Sequence, residues 1–289
     1  MNLPLAKTKS PLSESQRAAL ITLLGDDDWV IYQTVREKLI SYGPVAVDWL
    51  RSHLLSSDPV LRRRAKELVA HFGRQNADTQ FLAFCLSQGE DFDIEEGVLR
   101  LAQTQFPGIN PSAYTALLDS FASDLREQID LGGEPDQILA TINDYLFRQL
   151  GFTGNEDDYY DPENSCINCV LDRRTGNPIS LSLVYLFVAR RLKLPMTGIG
   201  LPGHFICRYQ TTKSEVYIDA FNRGKILTKA DCIKYLLHTN HSLQEGHLAP
   251  VNARRILLRI CANLHQIYTQ LEAPEEISRL QRYLVALAK

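Results

Sequence analysis

Gly176-Asn177-Pro178-Ile179-Ser180-Leu181-Ser182-Leu183-Val184-Tyr185-Leu186-Phe187-Val188-Ala189-Arg190-Arg191 is the stretch that decides the fold. Asn177 offers a capping oxygen, and Pro178 suits a first turn, where its missing N–H goes unused. The apolar residues that follow (Ile179, Leu181, Leu183, Val184, Leu186, Phe187, Val188) cover nearly every side of the helix. A helix apolar all round belongs at the centre of a domain. Short β-rich runs follow at 197–201, 205–209 and 216–218. They predict a small antiparallel sheet laid against that helix, an α+β arrangement.

Outward from this centre the chain reads as mostly helical. Helical periodicity covers 94–105, 112–128 and 134–149, punctuated by Pro107, Pro111 and Gly132-Gly133. The segment 155–164, with Tyr159-Tyr160-Asp161-Pro162, reads as an ordered acidic and aromatic loop. Beyond the sheet, 252–288 gives two amphipathic helices broken near Ala273-Pro274. Near the start, Leu24, Asp28, Val30, Val35, Glu37 and Leu39 recur as Leu54, Asp58, Val60, Ala65, Glu67 and Val69. Asp28 and Asp58 each stand where a helix needs a capping oxygen. The pattern is that of HEAT-type helical pairs with only two copies, or else of an ordinary bundle with chance spacing. The expected organisation is a flexible terminus at 1–14, a HEAT-like module at 15–90, an α+β core at 91–250 and a helical tail at 251–289.

The bulk numbers narrow the function classes. With 289 residues and an apolar fraction of 45%, the chain can bury a large core without disulfides or metals. A formal charge of -3 argues against a general nucleic-acid binder, which would usually carry a basic face or domain. The first residues lack the apolar core of a secretory signal. The longest apolar stretch, 181–189, is well short of the ~20 residues that span a bilayer. Six scattered cysteines fit buried thiols in a reducing compartment. A cytoplasmic chain with no membrane span is the expectation.

The candidate chemistry sits at the start of the central helix and on the strands after it. Ser180 lies about one turn in, where helix dipole and free N–H groups favour a developing anion. A serine needs an adjacent base there, and His204, after Pro202-Gly203, is the candidate. Asp219 is the candidate carboxylate that orients the imidazole. Each has a plainer reading: Ser180 as a helix-start hydroxyl bonded to backbone, His204 as a core residue, Asp219 as the cap of the turn at 221–224. Ser182 is a weaker nucleophile candidate. Arg174, Asn177 and Asn222 are the candidate substrate- or partner-binding residues.

The cysteines and histidines offer two metal-like sets. Cys166, Cys169, His204 and Cys207 make a zinc-like set on paper. On a strand, however, His204 and Cys207 point to opposite faces. His238, His241 and His247 form a looser cluster. Gly198, Gly200 and Gly203 do not match a dinucleotide fingerprint. No metal and no cofactor are expected.

These residues resemble the SirB family of transglutaminase-like proteins. The likeness runs through Tyr159-Tyr160-Asp161-Pro162-Glu163-Asn164-Ser165, then Val170 to Ser182, Gly200-Leu201-Pro202-Gly203-His204-Phe205 and Ile218-Asp219-Ala220-Phe221-Asn222. The resemblance implies a transglutaminase-like core of the papain-like superfamily, with tetratricopeptide-like helices after it. It carries the superfamily's His and Asp onto His204 and Asp219, and places Ser180 near the usual Cys, within a residue or two. The family lacks that Cys, which implies non-enzymatic members. Cys166 and Cys169 depart from the family's usual residues. The expected function is a protein-binding or assembly adaptor without a thiol nucleophile. The alternative is a Ser/His/Asp hydrolase or acyltransferase acting on an amide or ester.

Overall fold

A computed structural model describes residues 12–212, 214–239, 246 and 248–289. Most of the expected flexible terminus, and both His241 and His247, lie outside the described residues. The chain divides into two compact units, one reaching to Ala77 with Phe106–Gly108, the other formed by Asp78–Gln105 and Ile109–Lys289. The division falls inside one helix and not at the expected boundary near residue 90.

The first unit holds α1 (Glu14–Leu24), α2 (Trp29–Tyr42), α3 (Val45–Leu50) and the start of α4 (Pro59–Ser87). The two aspartates of the repeat do the same job in both copies. The Asp28 carboxylate accepts from the N–H groups of Val30 and Ile31, and Asp58 accepts from Val60 and Leu61. Such caps satisfy the orphan donors of a first turn. Gly43, at φ +75, ends α2 in a conformation that favours glycine. Leu24, Leu39, Ala46, Leu50 and Ala65 are fully buried and make this unit's own core.

The second unit opens with the rest of α4, followed by α5 (Ile94–Gln105), α6 (Pro111–Arg126) and α7 (Pro135–Asn143), which runs into a π-helical turn. Then come β1 (Thr153–Gly154), α8 (Ile167–Arg173), β2 (Thr175–Gly176) and α9 (Pro178–Arg191). The chain continues through β3 (Met196–Leu201), β4 (His204–Gln210), β5 (Glu215–Asp219), β6 (Lys225–Leu227), α10 (Lys229–His238), α11 (Ala253–Gln270) and α12 (Pro274–Leu287). Strands β3 to β6 form an antiparallel meander, while β1 and β2 make a short parallel pair.

The central helix lies where its composition demands. Eleven of the fourteen residues of α9 are buried. One face of the sheet, with Phe205, Cys207 and Ile218, joins the main core around α9. The other face, with Ile199, Leu201, Ile206 and Tyr217, meets Cys232 and Leu236 of α10. Sheet and helix are therefore an α+β core set among many helices. The C-terminal pair is no loose appendage, because Leu257, Cys261, Leu264, Leu280 and Tyr283 are fully buried in that same main core. Strand β6 and helices α8 and α10 were not expected from the pattern, being short and held by tertiary contact.

Candidate functional site

The register of the meander brings the histidine and the aspartate together. Cys207 stands opposite Ile218, so Asp219 continues the ladder opposite Ile206. Side chains alternate along a strand, which puts His204 and Ile206 on one face with Asp219 diagonal to the histidine. The His204 Nε2 to Asp219 Oδ2 distance is 2.9 Å. Asn222 completes the arrangement: its Nδ2 donates to Asp219 Oδ2 at 2.8 Å and its backbone N–H to Oδ1 at 3.2 Å. Burial pushes the Asp219 carboxyl up, but the bond and charge of His204 and the two bonds from Asn222 hold it below the usual value.

The elbow that aims the histidine is fixed from several sides. Gly203 takes φ +70, which a Pro-Gly turn allows and a side chain would strain. The Tyr235 hydroxyl of α10 donates to the Pro202 carbonyl at 3.0 Å. From α11, Arg259 Nη2 donates to the carbonyls of Leu201 and His204 at 2.6 and 2.8 Å. The imidazole meets the ring of Phe221 edge-on at 6.2 Å and tilts over Tyr235 at 5.9 Å.

Ser180 has a different occupation. Its Oγ accepts from the Asn177 N–H at 3.0 Å and donates to the Asn177 carbonyl at 3.1 Å, while its own N–H donates to Asn177 Oδ1 at 3.0 Å. This reciprocal box satisfies the helix start. Gly176 makes room for it, since a Cβ there would stand 2.6 Å from Ser180 Oγ. The hydroxyl is only 3% exposed and, among the described residues, has no bond to His204. Ser182 is fully buried and donates to the Phe205 carbonyl at 3.3 Å, tying α9 to β4.

Around His204 opens a cleft with two lobes that share Tyr159, Pro178, Leu201, Gly203 and His204. One lobe, of about 650 Å³, adds Tyr160, Arg259, Asn263 and Gln266. The other, of about 610 Å³, adds Asp219, Asn222, Asp231 and Tyr235. The α9 residues in the lining are Asn177, Pro178 and Ile179, and Ser180 is not among them. Of the candidate binding residues, Asn177 and Asn222 line the cleft. Arg174 does not: it stands at φ 59 with its guanidinium 4.9 and 4.8 Å over Phe121 and Phe152. Cys207 donates to the Ser182 carbonyl of α9, on the face opposite the imidazole. Among the described residues no group of three or more His, Cys, Asp or Glu is placed to hold a metal.

Pro178, Tyr235, Arg259 and Gln266 were missed in the sequence. Arg259 sits on an ordinary amphipathic helix with nothing local to mark it. The Tyr159-Tyr160 pair was a visible signal, as aromatics in a polar loop do not serve a core.

A central helix, an antiparallel meander and a His–Asp pair, the histidine at the start of β4 and the aspartate at the end of β5, define a transglutaminase-like domain. The sequence profile of the transglutaminase-like superfamily matches residues 112–262, and the chain belongs to that superfamily. It is a SirB-like member. A UPF0162 protein of Xylella fastidiosa (strain 9a5c) is 35% identical over 185 residues, covering 62% of this chain and 66% of that one. Protein SirB1 of Salmonella typhimurium is 27% identical over 135 residues, 46% of this chain and 47% of that one. F-box only protein 21 of Mus musculus is 36% identical over 177 residues, 58% of this chain but 27% of the mouse protein. The chain thus spans two thirds or less of these relatives. No solved structure matches it. Among the described residues no helix is long and apolar enough to cross a membrane.

Proposed function

We propose that this chain is a non-catalytic protein-binding adaptor whose transglutaminase-like cleft holds a partner without reacting with it. The observation that carries this reading is the α9 wall beside His204. Asn177, Pro178 and Ile179 line it, and none carries a hydroxyl or thiol. A His–Asp pair can orient and hydrogen-bond a ligand with no serine or cysteine beside the imidazole, and Cys232, the thiol in the lining of the other lobe, is fully buried with its pKa pushed up to about 11 by burial. In the mouse relative the matched region is about a quarter of a longer chain, which fits a recognition module joined to other parts. The helical pairs of the first unit are read as HEAT-like, and α11–α12 as tetratricopeptide-like; such stacks offer extended surfaces. The proposed compartment is the cytoplasm.

A cleft-dependent capture experiment tests this. The tagged full chain, at cellular abundance, is expected to retain a partner that the Ser180→Ala variant also retains and the Tyr160→Ala variant loses. Tyr160 is 57% exposed at the cleft, so its truncation removes contact area and little core. Capture of nothing above background, or capture indifferent to Tyr160, overturns the reading. The second reading, a Ser/His/Asp hydrolase or acyltransferase, draws on the His204–Asp219 pair. It requires Ser180 to leave both of its bonds to Asn177.

A further inference from the structure

Three partly buried arginines of the second unit have their charge answered in different ways. Arg191 bonds Glu95 and Asp119. Arg254 spends all three guanidinium nitrogens on the carbonyls of Leu287, Cys85, Gln88 and Ala286. Arg259 spends only Nη2, on the carbonyls of Leu201 and His204, and among the described residues it has no carboxylate partner. Its Nη1 lies against Gly200 on the cleft wall, where a Cβ would come within 3.0 Å of it. Burial pulls this guanidinium's hold on its proton down, and the nearby phenols of Tyr159 and Tyr235 oppose that only in part.

The lobe that Arg259 faces contains no acidic side chain. Its polar lining is Tyr159, Tyr160, Asn177, His204, Asn263 and Gln266. The carboxylates of the cleft, Asp219 and Asp231, belong to the other lobe, and Asp219 is already bonded by His204 and Asn222. A desolvated cation beside neutral donors is costly alone and gains from an external anion. Resting on the binding reading above, we propose that this lobe recognises a carboxylate of the partner protein, with Arg259 as its ion-pair and Asn263 and Gln266 as flanking donors. With Nη2 taken by two carbonyls, Nη1 at the cleft wall is left to donate to one oxygen of a carboxylate, a charge-assisted bond that Asn263 and Gln266 can flank. A dianionic phosphate would find no second arginine or lysine in the lobe.

The probes are three capped amino acids titrated into the full chain at millimolar concentration, with binding followed by ligand-observed NMR. N-acetylglutamic acid amide presents a side-chain carboxylate, N-acetylglutamine a terminal one, and N-acetylglutamine amide none. One or both acids are expected to bind where the neutral amide does not, and the tighter acid names the source of the carboxylate. Arg259→Gln is expected to weaken the acids at least about tenfold. Because that variant also loses two backbone bonds, Gln266→Glu is the companion. Among the described residues the Gln266 side chain makes no hydrogen bond, and a glutamate there would occupy Arg259 and repel the acids by a similar factor.

Equal binding of the neutral amide, tighter binding of inorganic phosphate, or acids indifferent to Gln266→Glu overturns the carboxylate assignment. If no acid binds while Tyr160-dependent capture persists, the assignment falls and the adaptor reading stands. If capture fails too, both fall.

Discussion

The two ends of α9 treat charge in opposite ways. At its C-terminal end Arg190 and Arg191 are answered inside the protein, by Asp93, Glu95 and Asp119 at 2.6 to 2.8 Å. Cations there also complement the helix dipole. At its N-terminal end the helix is closed by neutral groups, Asn177 and Ser180, and the cation nearby, Arg259, meets two carbonyls and the Phe205 ring but, among the described residues, no carboxylate. An arginine that serves the fold has its donors taken up inside the protein, by carboxylates as at Arg191 or by carbonyls as at Arg254. One that faces a cleft without a counter-charge is available to a ligand. The contrast separates the structural end of the central helix from its functional end.

The largest effect is expected where the contrast is strongest. Glu95 is 4% exposed and accepts from both Arg190 and Arg191. Those bonds, led by the hydrogen bonds to Glu95, raise the Arg191 pKa against the pull of burial. Glu95→Gln keeps the shape and removes the charge, leaving two cations around a neutral amide. A loss of about 3–5 kcal/mol is expected in chemical denaturation, as for a buried pair deprived of one partner. A loss under about 1 kcal/mol would mean that the network is screened by solvent and that the C-terminal end is no better neutralised than the cleft.

Much of this was legible in the sequence. An apolar run wider than any amphipathic stripe marks α9 as central, and the alternation after it gives β3 to β5. Pro202-Gly203 before His204 announces an elbow, and strand register then delivers Asp219. The role of Ser180 was not legible, because a serine at the third helical position reads equally as nucleophile or cap. Only the bonds to Asn177 decide how the hydroxyl is used. Arg259 was hidden for another reason. Its partners Leu201 and His204 are more than fifty residues away in the chain, and no local pattern encodes such a contact. The packing of the helical tail was hidden likewise, since amphipathic periodicity shows that α11 and α12 bury a face but not which core receives it.

A smaller effect is expected at the capped end. Ser180→Ala deletes a hydroxyl that accepts from the Asn177 N–H, which keeps only its longer bond to the Asn164 carbonyl at 3.4 Å. The expected cost is about 1 kcal/mol, that of a lost cap. Thermal unfolding of the variant measures it. An unchanged melting temperature together with abolished turnover of an ester or amide would revive the hydrolase reading and give this end of α9 a chemical role.

The least effect, and the one closest to the cleft, is a dependence on acid. The carboxyl of Asp219 is held below its usual value because the bonds from His204 and Asn222 outweigh its burial. Its folded pKa therefore lies below the unfolded value near ~3.9, and the stability it adds is complete above that value. That stability drains away as pH falls through the folded pKa. Asp219→Asn cannot titrate, so its denaturation midpoint is expected to fall less steeply than that of the parent protein below about pH 4. Identical acid limbs in the two proteins would show that Asp219 is not held by this pair. The imidazole would then lack its anchor, and the cleft would lose the fixed geometry that sets it apart from the neutralised end of the helix.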